Sequence, residues 1–140
     1  TNGKTTTCTM TDLLLKKAGR TSVAAGNIGY PFTTAVLDDT PDFFVVEVSS
    51  FQLHHVERFA PRVAVITSFA PNHLDWHGDE ESYFQSKLNV ARNLGPGDSL
   101  VFPAGETRIR KALRDARLDK RVKTREHEAA LVRRLMASGA

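Results

Sequence analysis

The sequence predicts an α/β fold, a doubly wound and mostly parallel sheet that carries a phosphate-binding loop. Two nearly continuous apolar runs, residues 43–48 and 62–67, are typical of strands buried on both faces of a parallel sheet. Segments with helical periodicity alternate with these runs, which favours right-handed crossovers with helices on both faces. The chain opens with Thr-Asn-Gly-Lys-Thr-Thr-Thr, the second half of a loop that holds nucleotide phosphates.

The composition indicates a globular protein large enough for one hydrophobic core. Of the 140 residues, 41% are hydrophobic and 25% are charged. No apolar run approaches the roughly 20 residues of a membrane-spanning helix, and no segment has the pattern of a secretory signal. The single cysteine, Cys8, cannot form an internal disulfide, which suits a reducing compartment. We expect a cytoplasmic protein.

The phosphate-binding loop is the segment on which the prediction depends. In such loops, backbone N–H groups surround the phosphates, a lysine reaches the β and γ oxygens, and the next hydroxyl holds Mg²⁺. Here these side chains are Lys4 and Thr5. The full pattern needs a strand and a further glycine before Thr1, so we expect an N-terminally truncated domain. Read alone, Asn-Gly is also an ordinary turn pair.

The first helix is predicted over residues 5–18, with Gly19 as its C-terminal cap. Its buried face is predicted from side chains at the i, i+3, i+4 and i+7 spacing. These side chains are Met10, Leu13, Leu14 and, through its aliphatic stem, Lys17. A short strand over residues 21–25 follows and leads into Gly-Asn-Ile-Gly at 26–29. Pro31 then fits the first turn of a second helix, which ends near residues 38–41.

The second half of the predicted sheet repeats this alternation. Ser49 and Ser50 follow the first apolar run and can cap a helix. A long polar loop follows the second apolar run, and the acidic residues after it favour the start of another helix. The elements predicted here are a helix over 51–58, a strand over 62–67, a loop over 68–78, a helix over 80–94 and a strand over 99–102.

Polar clusters follow three of the predicted strands, at residues 26–29, 47–50 and 68–77. In open α/β sheets, ligands bind outside the carboxyl ends of the strands. Because all three clusters fall at that edge, the sequence predicts a catalytic site there.

Glu47 is an acidic residue at the end of an apolar run. Burying a carboxylate costs several kcal/mol unless a positive group meets it, and near a phosphate-binding loop that group is Mg²⁺. The alternative is a glutamate that reaches solvent at the edge of the sheet.

Histidines and one lysine are weaker candidates. His73, Asp75 and His77 lie in one loop, but the helical pattern and the thiolates of common zinc sites are absent, so capping or backbone hydrogen bonding is an alternative. The pair at positions 54 and 55 is interpreted as structural or exposed. Taken alone, Lys87 is a surface lysine one turn after a tyrosine.

The C-terminal part is basic. Residues 106–140 contain 11 Lys and Arg against 5 Asp and Glu, whereas residues 1–105 contain 8 against 11. Such a segment either binds nucleic acid or is the solvated face of amphipathic helices, and the second is commoner. A basic amphipathic helix is predicted over residues 108–116, a short strand or linker over 121–123, and a helix over 126–136.

Five segments together resemble the central, ATP-binding domain of the Mur ligase family. In the order and spacing of that family, they are residues 1–6, 26–29, 47–53, 72–77 and 83–87. Gly-Asn-Ile-Gly combined with Ser-Ser-Phe-Gln-Leu is similar to the branch that adds D-glutamate. The resemblance covers residues 1–103, which we interpret as a fragment of the central domain, and leaves residues 104–140 as a basic tail.

The resemblance implies ATP and two Mg²⁺ ions as cofactors. The nucleotide-binding residues it implies are Thr1, Asn2, Gly3, Lys4, Thr5 and Thr6. The catalytic residues it implies are Lys4, Glu47, His73 and Lys87. The metal ligands it implies are Thr5, Glu47, His73 and Lys87, the last as a carbamate. The substrate-binding residues it implies are Asn27 and Ser49.

The resemblance also implies an ATP-dependent ligase of peptidoglycan precursor synthesis. ATP phosphorylates the carboxylate of UDP-N-acetylmuramoyl-L-alanine, and the amine of D-glutamate attacks the acyl phosphate. The family places a UDP-binding domain before the central domain and an amino-acid-binding domain after it, so we expect residues 1–140 alone to be inactive. The family usually has Asp and Arg where this chain has Asn72 and Trp76.

Three alternatives stay open from the sequence. The chain can belong to a Mur or folylpolyglutamate-type ligase with another acceptor, or to a degenerate ligase without activity. The third alternative is not an enzyme but a nucleic-acid-binding module built on the basic tail, and it leaves the five segments unexplained. We expect neither a nucleic-acid nor a membrane partner.

Overall fold

The computed structural model describes residues 2–118 and 122–127. Its helices are α1 (Lys4–Lys17), α2 (Phe32–Asp38), α3 (Ser50–His54), α4 (Leu74–His77), α5 (Glu80–Leu88) and α6 (Thr107–Asp115), with a 3₁₀ turn at Asn89–Ala91. Its strands are β1 (Ser22–Gly26), β2 (Phe43–Glu47), β3 (Val63–Val65), β4 (Ser99–Pro103) and β5 (Lys123–His127).

Every strand pairing among the described residues is parallel, which confirms the predicted α/β fold class. β1 pairs with β2, and Gly26 lies opposite Glu47 at the carboxyl end of that pair. A second sheet has the order β3-β4-β5. The strands thus form two parallel sheets, whereas the sequence predicted one continuous sheet.

A slot of about 940 Å³ lies between β2 and β3. Both strands line it, and α1 closes one side through Lys4 and four residues further along the helix. Those residues are Thr7, Cys8, Thr11 and Leu15. The slot explains why the two apolar runs are not buried throughout: Phe43 and Val65 are each about two-fifths exposed.

The main hydrophobic core lies around the three-stranded sheet. Its largest fully buried side chains are Tyr83, Leu94, Leu100, Phe102 and Ile109. Helix α6 contributes Ile109 and Leu113, and Val122 before β5 is also in this core. The described part of residues 104–140 therefore packs on the same α/β sheet.

The buried face of α1 differs from the predicted one. Met10, Leu13 and Leu14 are all more than half exposed. Asp12 is buried instead, where it accepts hydrogen bonds from Ser22 and Lys16 at 2.7 and 2.8 Å. Periodicity alone selected the wrong face, because a paired carboxylate next to β1 replaces an apolar contact.

Several element boundaries also differ from the predicted ones. Helix α3 is five residues long, shorter than predicted, and α4 lies inside the segment predicted to be a loop. The helix predicted over residues 126–136 is wrong at Glu126 and His127, which belong to β5. Residues 128–136 of that prediction lie outside the described residues.

A basic residue in the first turn of α6 forms ion pairs within the fold. Arg108 forms ion pairs with Glu80 and Glu81 at the start of α5. Its guanidinium also lies 4.1 Å from the ring centroid of Phe84. This basic side chain therefore joins α6 to α5, a contact that the interpretation as a solvated helix face did not include.

In the part of the chain that the structure describes, none of the helices has both the length and the apolar character needed to cross a membrane.

Candidate functional site

Three of the predicted site residues meet at the carboxyl ends of β1 and β2. Thr5 Oγ1 donates a hydrogen bond of 2.7 Å to Glu47 Oε2. Asn27 Nδ2 donates one of 3.0 Å to Glu47 Oε1. Glu47 is only 4% exposed, so both carboxylate oxygens are held by neighbouring segments rather than reaching into solvent. The alternative of a glutamate at the solvent edge is wrong.

Gly26 makes this arrangement sterically possible. Its φ is +107°, and a Cβ atom placed there would lie 2.2 Å from the backbone oxygen of Glu47. That oxygen accepts a 2.8 Å hydrogen bond from the backbone N–H of Asn27. Because only glycine lacks the clashing atom, β1 can turn sharply beside Glu47 and direct the Asn27 amide at its carboxylate.

The predicted phosphate-binding loop is anchored between the ends of β2 and β3. Gly3 precedes α1 with a φ of +86°, in the left-handed region. The backbone oxygen of Asn2 accepts a hydrogen bond of 2.9 Å from Thr67 Oγ1. The N-terminus of α1 starts at Lys4, and such a helix end attracts anions through its dipole and its N–H groups.

Two predicted lysines share the slot with the buried carboxylate. Lys4, Glu47 and Lys87 all line it. Lys87 is half-buried, and its ammonium lies 5.0 Å from the ring centroid of Tyr83. Burial, and next the positive charge of Lys4, lower the pKa of Lys87 from its ordinary 10.5 to about 8. Its amine is therefore unprotonated far more often than that of a surface lysine.

Thr5 and Glu47 fit a Mg²⁺ ion by the chemistry of their donor atoms. A hydroxyl and a carboxylate are the hard oxygen ligands that Mg²⁺ prefers, and they already lie within hydrogen-bond distance of each other. Among the described residues, no group of three or more His, Cys, Asp or Glu side chains is gathered closely enough to hold a metal. The zinc alternative for the loop histidines thus finds no geometric support.

His73 stands in a different environment from Glu47. It precedes α4 with a φ of +54°, and its ring packs against Phe51 with a centroid distance of 4.9 Å. Ser49 caps α3: its hydroxyl accepts from the backbone N–H of Gln52 at 3.2 Å, and the Gln52 side chain returns to the Ser49 N–H. Ser49 thus caps the N-terminus of α3, two residues after Glu47.

Sequence reasoning gave no specific role to His77, although the structure buries it. Its ring lies between Ser50 of α3 and Ser86 of α5, at 3.1 and 3.4 Å. Burial, followed by the nearby imidazole of His54, lowers the pKa of His77 below 6.5, so its ring is neutral at neutral pH. The two serines next to predicted site residues, Ser50 and Ser86, were the only sequence features related to this role of His77. The sequence alone does not show that both contact the same histidine.

A model of the Mur ligase middle domain matches residues 1–137. The UDP-N-acetylmuramoylalanine–D-glutamate ligase of Salinibacter ruber is 45% identical over 130 residues, 88% of this chain and 28% of that protein. The enzyme of the same name from Natranaerobius thermophilus is 44% identical over 102 residues, 72% of this chain and 22% of that protein. The chain thus spans less than a third of the length of these relatives.

A solved structure shows the same fold. MurF ligase from Thermotoga maritima, in complex with ADP, matches with a TM-score of 0.71 and 22% sequence identity. The match covers 91% of this chain and 31% of that chain. Since the family model covers nearly all residues and the fold agrees with it, the chain belongs to the Mur ligase middle domain family.

Proposed function

We propose that this chain is the ATP-binding domain of an ATP-dependent ligase that joins D-glutamate to UDP-N-acetylmuramoyl-L-alanine. The observation that carries the proposal is the buried Glu47 carboxylate, held by Thr5 of the phosphate-binding loop and by Asn27. The two relatives named for this reaction support the choice of substrates.

The nucleotide is proposed to bind at the start of α1. Residues 1–6 would surround the phosphates with backbone N–H groups, and Lys4 would contact the β and γ oxygens. The MurF ligase, which has the same fold, is in complex with ADP, and this supports nucleotide binding by the proposed domain.

Two Mg²⁺ ions are proposed for the site. Thr5 and Glu47 supply oxygen donors for one ion, and bound cations would offset the repulsion between a carboxylate substrate and the triphosphate. His73 and a carbamate on Lys87 are the proposed ligands of the other. The lowered pKa of Lys87 favours this carbamate, because the free amine adds to CO₂ and releases a proton.

Asn27 and Ser49 are proposed to contact the muramoyl substrate. Asn27 is exposed, and Ser49 is partly exposed, at the edge where the phosphate-binding loop lies. In the proposed reaction, the substrate carboxylate takes the γ-phosphoryl group of ATP. The amine of D-glutamate then displaces phosphate and forms the amide, leaving ADP and inorganic phosphate.

The test measures phosphate release from Mg-ATP by the full-length parent protein with UDP-N-acetylmuramoyl-L-alanine. D-glutamate, L-alanine, L-lysine and diaminopimelate are offered in turn. We expect turnover with D-glutamate alone. Because Lys4 would stabilise charge on the transferred phosphoryl group, Lys4→Ala should lower kcat/KM by roughly 10²–10³-fold. Lys87→Ala should lose activity and regain part of it with added short-chain carboxylic acids, which replace the carbamate.

Turnover with a different amino acid would keep the mechanism and assign another acceptor. Absence of turnover with all four acceptors would overturn the ligase proposal. Lys17→Ala is the matched control for Lys4→Ala, because Lys17 is an exposed lysine in the last turn of the same helix, away from the loop. Its activity should equal that of the unmodified protein.

A further inference from the structure

We propose that His77 is a positioning residue, which holds the start of α3 against the helix that carries Lys87. The inference rests on the proposed function, since it concerns the geometry of that same site. It assigns a role to a buried histidine that contacts neither the phosphate-binding loop nor Glu47 in the interactions described above.

The contacts of His77 join two buried hydroxyls. Its Nε2 lies 3.1 Å from Ser50 Oγ, and its Nδ1 lies 3.4 Å from Ser86 Oγ. Ser50 and Ser86 are 6% and 2% exposed, and His77 is 8% exposed. Water therefore has little access to replace either hydrogen bond. Ser86 Oγ also bonds the Ser82 backbone oxygen at 2.8 Å and lies 3.0 Å from His54 Nδ1, whereas the described partner of the Ser50 hydroxyl is the His77 imidazole.

The hydrogen-bond directions are consistent around the ring. Ser86 donates its hydroxyl proton to the backbone oxygen of Ser82 at 2.8 Å, so its oxygen is left to accept. This assigns the proton of the neutral imidazole to Nδ1, which donates to Ser86. Nε2 is then the acceptor for the hydroxyl proton of Ser50.

The two serines are adjacent to proposed site residues. Ser50 is the first residue of α3 and follows Ser49, whereas Ser86 directly precedes Lys87 in α5. The imidazole therefore bridges the segment that leaves Glu47 and the helix that presents Lys87. A change in this bridge would alter the distance between those two parts of the site.

His77 also connects to the third part of the site, the loop of His73. Its backbone N–H donates to the backbone oxygen of His73 at 3.0 Å, which closes the single turn of α4. Phe51 stacks on the His77 ring at 5.7 Å and packs against His73 at 4.9 Å. His77 thus contacts α3, α4 and α5 at once, beside the direct contact of 3.0 Å between His54 of α3 and Ser86 of α5.

A histidine is suited to this role because one planar ring accepts on one side and donates on the other. Phenylalanine would fill the same space but leave the buried Ser50 hydroxyl without its described partner and remove one of the three partners of Ser86, which is unfavourable. Glutamine can place its amide oxygen near the Nε2 position and so keep the bond from Ser50. The two variants therefore separate the loss of packing from the loss of hydrogen bonding.

The experiment uses the full-length parent protein with Mg-ATP and the two proposed substrates. We expect His77→Phe to lower kcat by roughly 10- to 100-fold, because a displacement of about 1 Å in positioned groups costs that much. The KM for ATP should stay within about twofold, since α1 and its loop are not touched. His77→Gln should recover part of kcat.

A double-mutant cycle links the effect to the proposed bridge. Ser50→Ala alone should lower kcat, but it should add little in the His77→Phe background, because the hydrogen bond is already absent. His55→Phe is the matched control, an identical substitution at an exposed histidine that follows the last residue of α3, and it should leave kcat unchanged. Fully additive effects, an unchanged kcat in His77→Phe or an equal loss in His55→Phe would overturn the proposal.

Amide hydrogen exchange tests the same bridge without catalysis. In His77→Phe, exchange should accelerate together in α3 and in the last turn of α5, and it should do so less in His77→Gln. Unchanged exchange in both helices would overturn the inference even if the ligase reaction is confirmed. Conversely, an inactive parent protein with the expected exchange pattern would refute the proposed function and leave the structural bridge in place.

Discussion

Glu47 shows how single residues at this site depend on one another. Its carboxylate is buried, and its described partners, the Thr5 hydroxyl and the Asn27 amide, are both uncharged. Hydrogen bonds from neutral donors offset only part of the cost of removing a carboxylate from water. The remaining cost is what a cation bound at this position would reduce.

The first residue-scale prediction concerns the glycine beside this carboxylate. Gly26→Ala should destabilise the parent protein by at least ~1–3 kcal/mol, the cost of a strained backbone conformation. The new Cβ would lie 2.2 Å from the Glu47 backbone oxygen, so β2 must also shift. Chemical denaturation measures the loss of stability, and the kcat of the ligase reaction measures the displacement of Glu47.

Gly29→Ala is the control for this substitution. Gly29 also has a positive φ, +51°, but nothing lies within 4 Å of the position where its Cβ would be. We expect a smaller loss of stability, about 1–2 kcal/mol from the left-handed backbone alone, and no change in kcat. Equal effects of the two substitutions would show that the close approach to Glu47 is unimportant.

At the scale of elements, α5 has to hold Lys87 in a fixed orientation. The helix has only nine residues, and isolated helices of this length are unstable in water. Two contacts at its start compensate for this. Asp79 caps the helix by accepting a 2.7 Å hydrogen bond from the Ser82 backbone N–H, and Arg108 of α6 pairs with two glutamates of the first turn.

The element-scale prediction is that Asp79→Ala lowers the melting temperature and that the difference depends on pH. The backbone N–H of Ser82 lowers the pKa of Asp79 below its ordinary 3.8. Because the folded-state pKa is the lower one, the cap stabilises fully above the unfolded-state pKa and is lost as pH falls through the folded-state pKa. The melting temperatures should therefore converge as the pH is lowered below about 4.

Asp79→Ser separates the cap from its charge. Serine can accept the same backbone hydrogen bond, so the melting temperature of this variant should stay close to that of the unmodified protein at neutral pH. Its difference from the melting temperature of Asp79→Ala should not shrink at acid pH. A difference between Asp79→Ala and the unmodified protein that stays constant down to pH 3.5 would contradict the role of the ionised carboxylate.

At the scale of the whole molecule, the slot between β2 and β3 separates the two parallel sheets. Residues 2–5 lie at the end of the slot where β2 and β3 have their carboxyl ends. Asn2 is bonded to Thr67 after β3, and Thr5 is bonded to Glu47 of β2. A chain segment that ran through the slot and reached Asn2 at this carboxyl end would lie between β2 and β3 and parallel to both. Such a strand would join the two sheets into one.

We therefore expect the polypeptide before Thr1 in the parent protein to enter this slot as an extended apolar strand. The measurement is amide exchange of β2 and β3 in the full-length protein and in a variant that lacks about six residues before Thr1, a typical strand length. Deletion should accelerate exchange in β2 and β3. Strand β4, which is paired on both sides by β3 and β5, is the internal reference. Equal protection in both proteins would contradict the expectation.

The elements of this fold were largely predictable, but their exact ends were not. Buried parallel strands have long apolar runs, so β2, β3 and β4 were recognisable from local sequence. The ends of α3 and α5 were not, because tertiary contacts decide where a short helix stops. The buried face of α1 was misjudged for a related reason: the Asp12 carboxylate is buried only because Ser22 and Lys16 meet it.

The sequence by itself determined the fold class, through its apolar runs and helical periodicity, and the family, through five segments that resemble it. It also located the predicted phosphate-binding loop, since glycine, lysine and hydroxyl residues stand at local spacing there. Tertiary structure alone decided how Glu47 is held, how the pKa of Lys87 is lowered, and that His77 joins three elements. Each of these depends on contacts between residues distant in sequence, or on the exclusion of water by the packed core. Burial and hydrogen-bond partners are properties of the folded chain, and no local pattern encodes them.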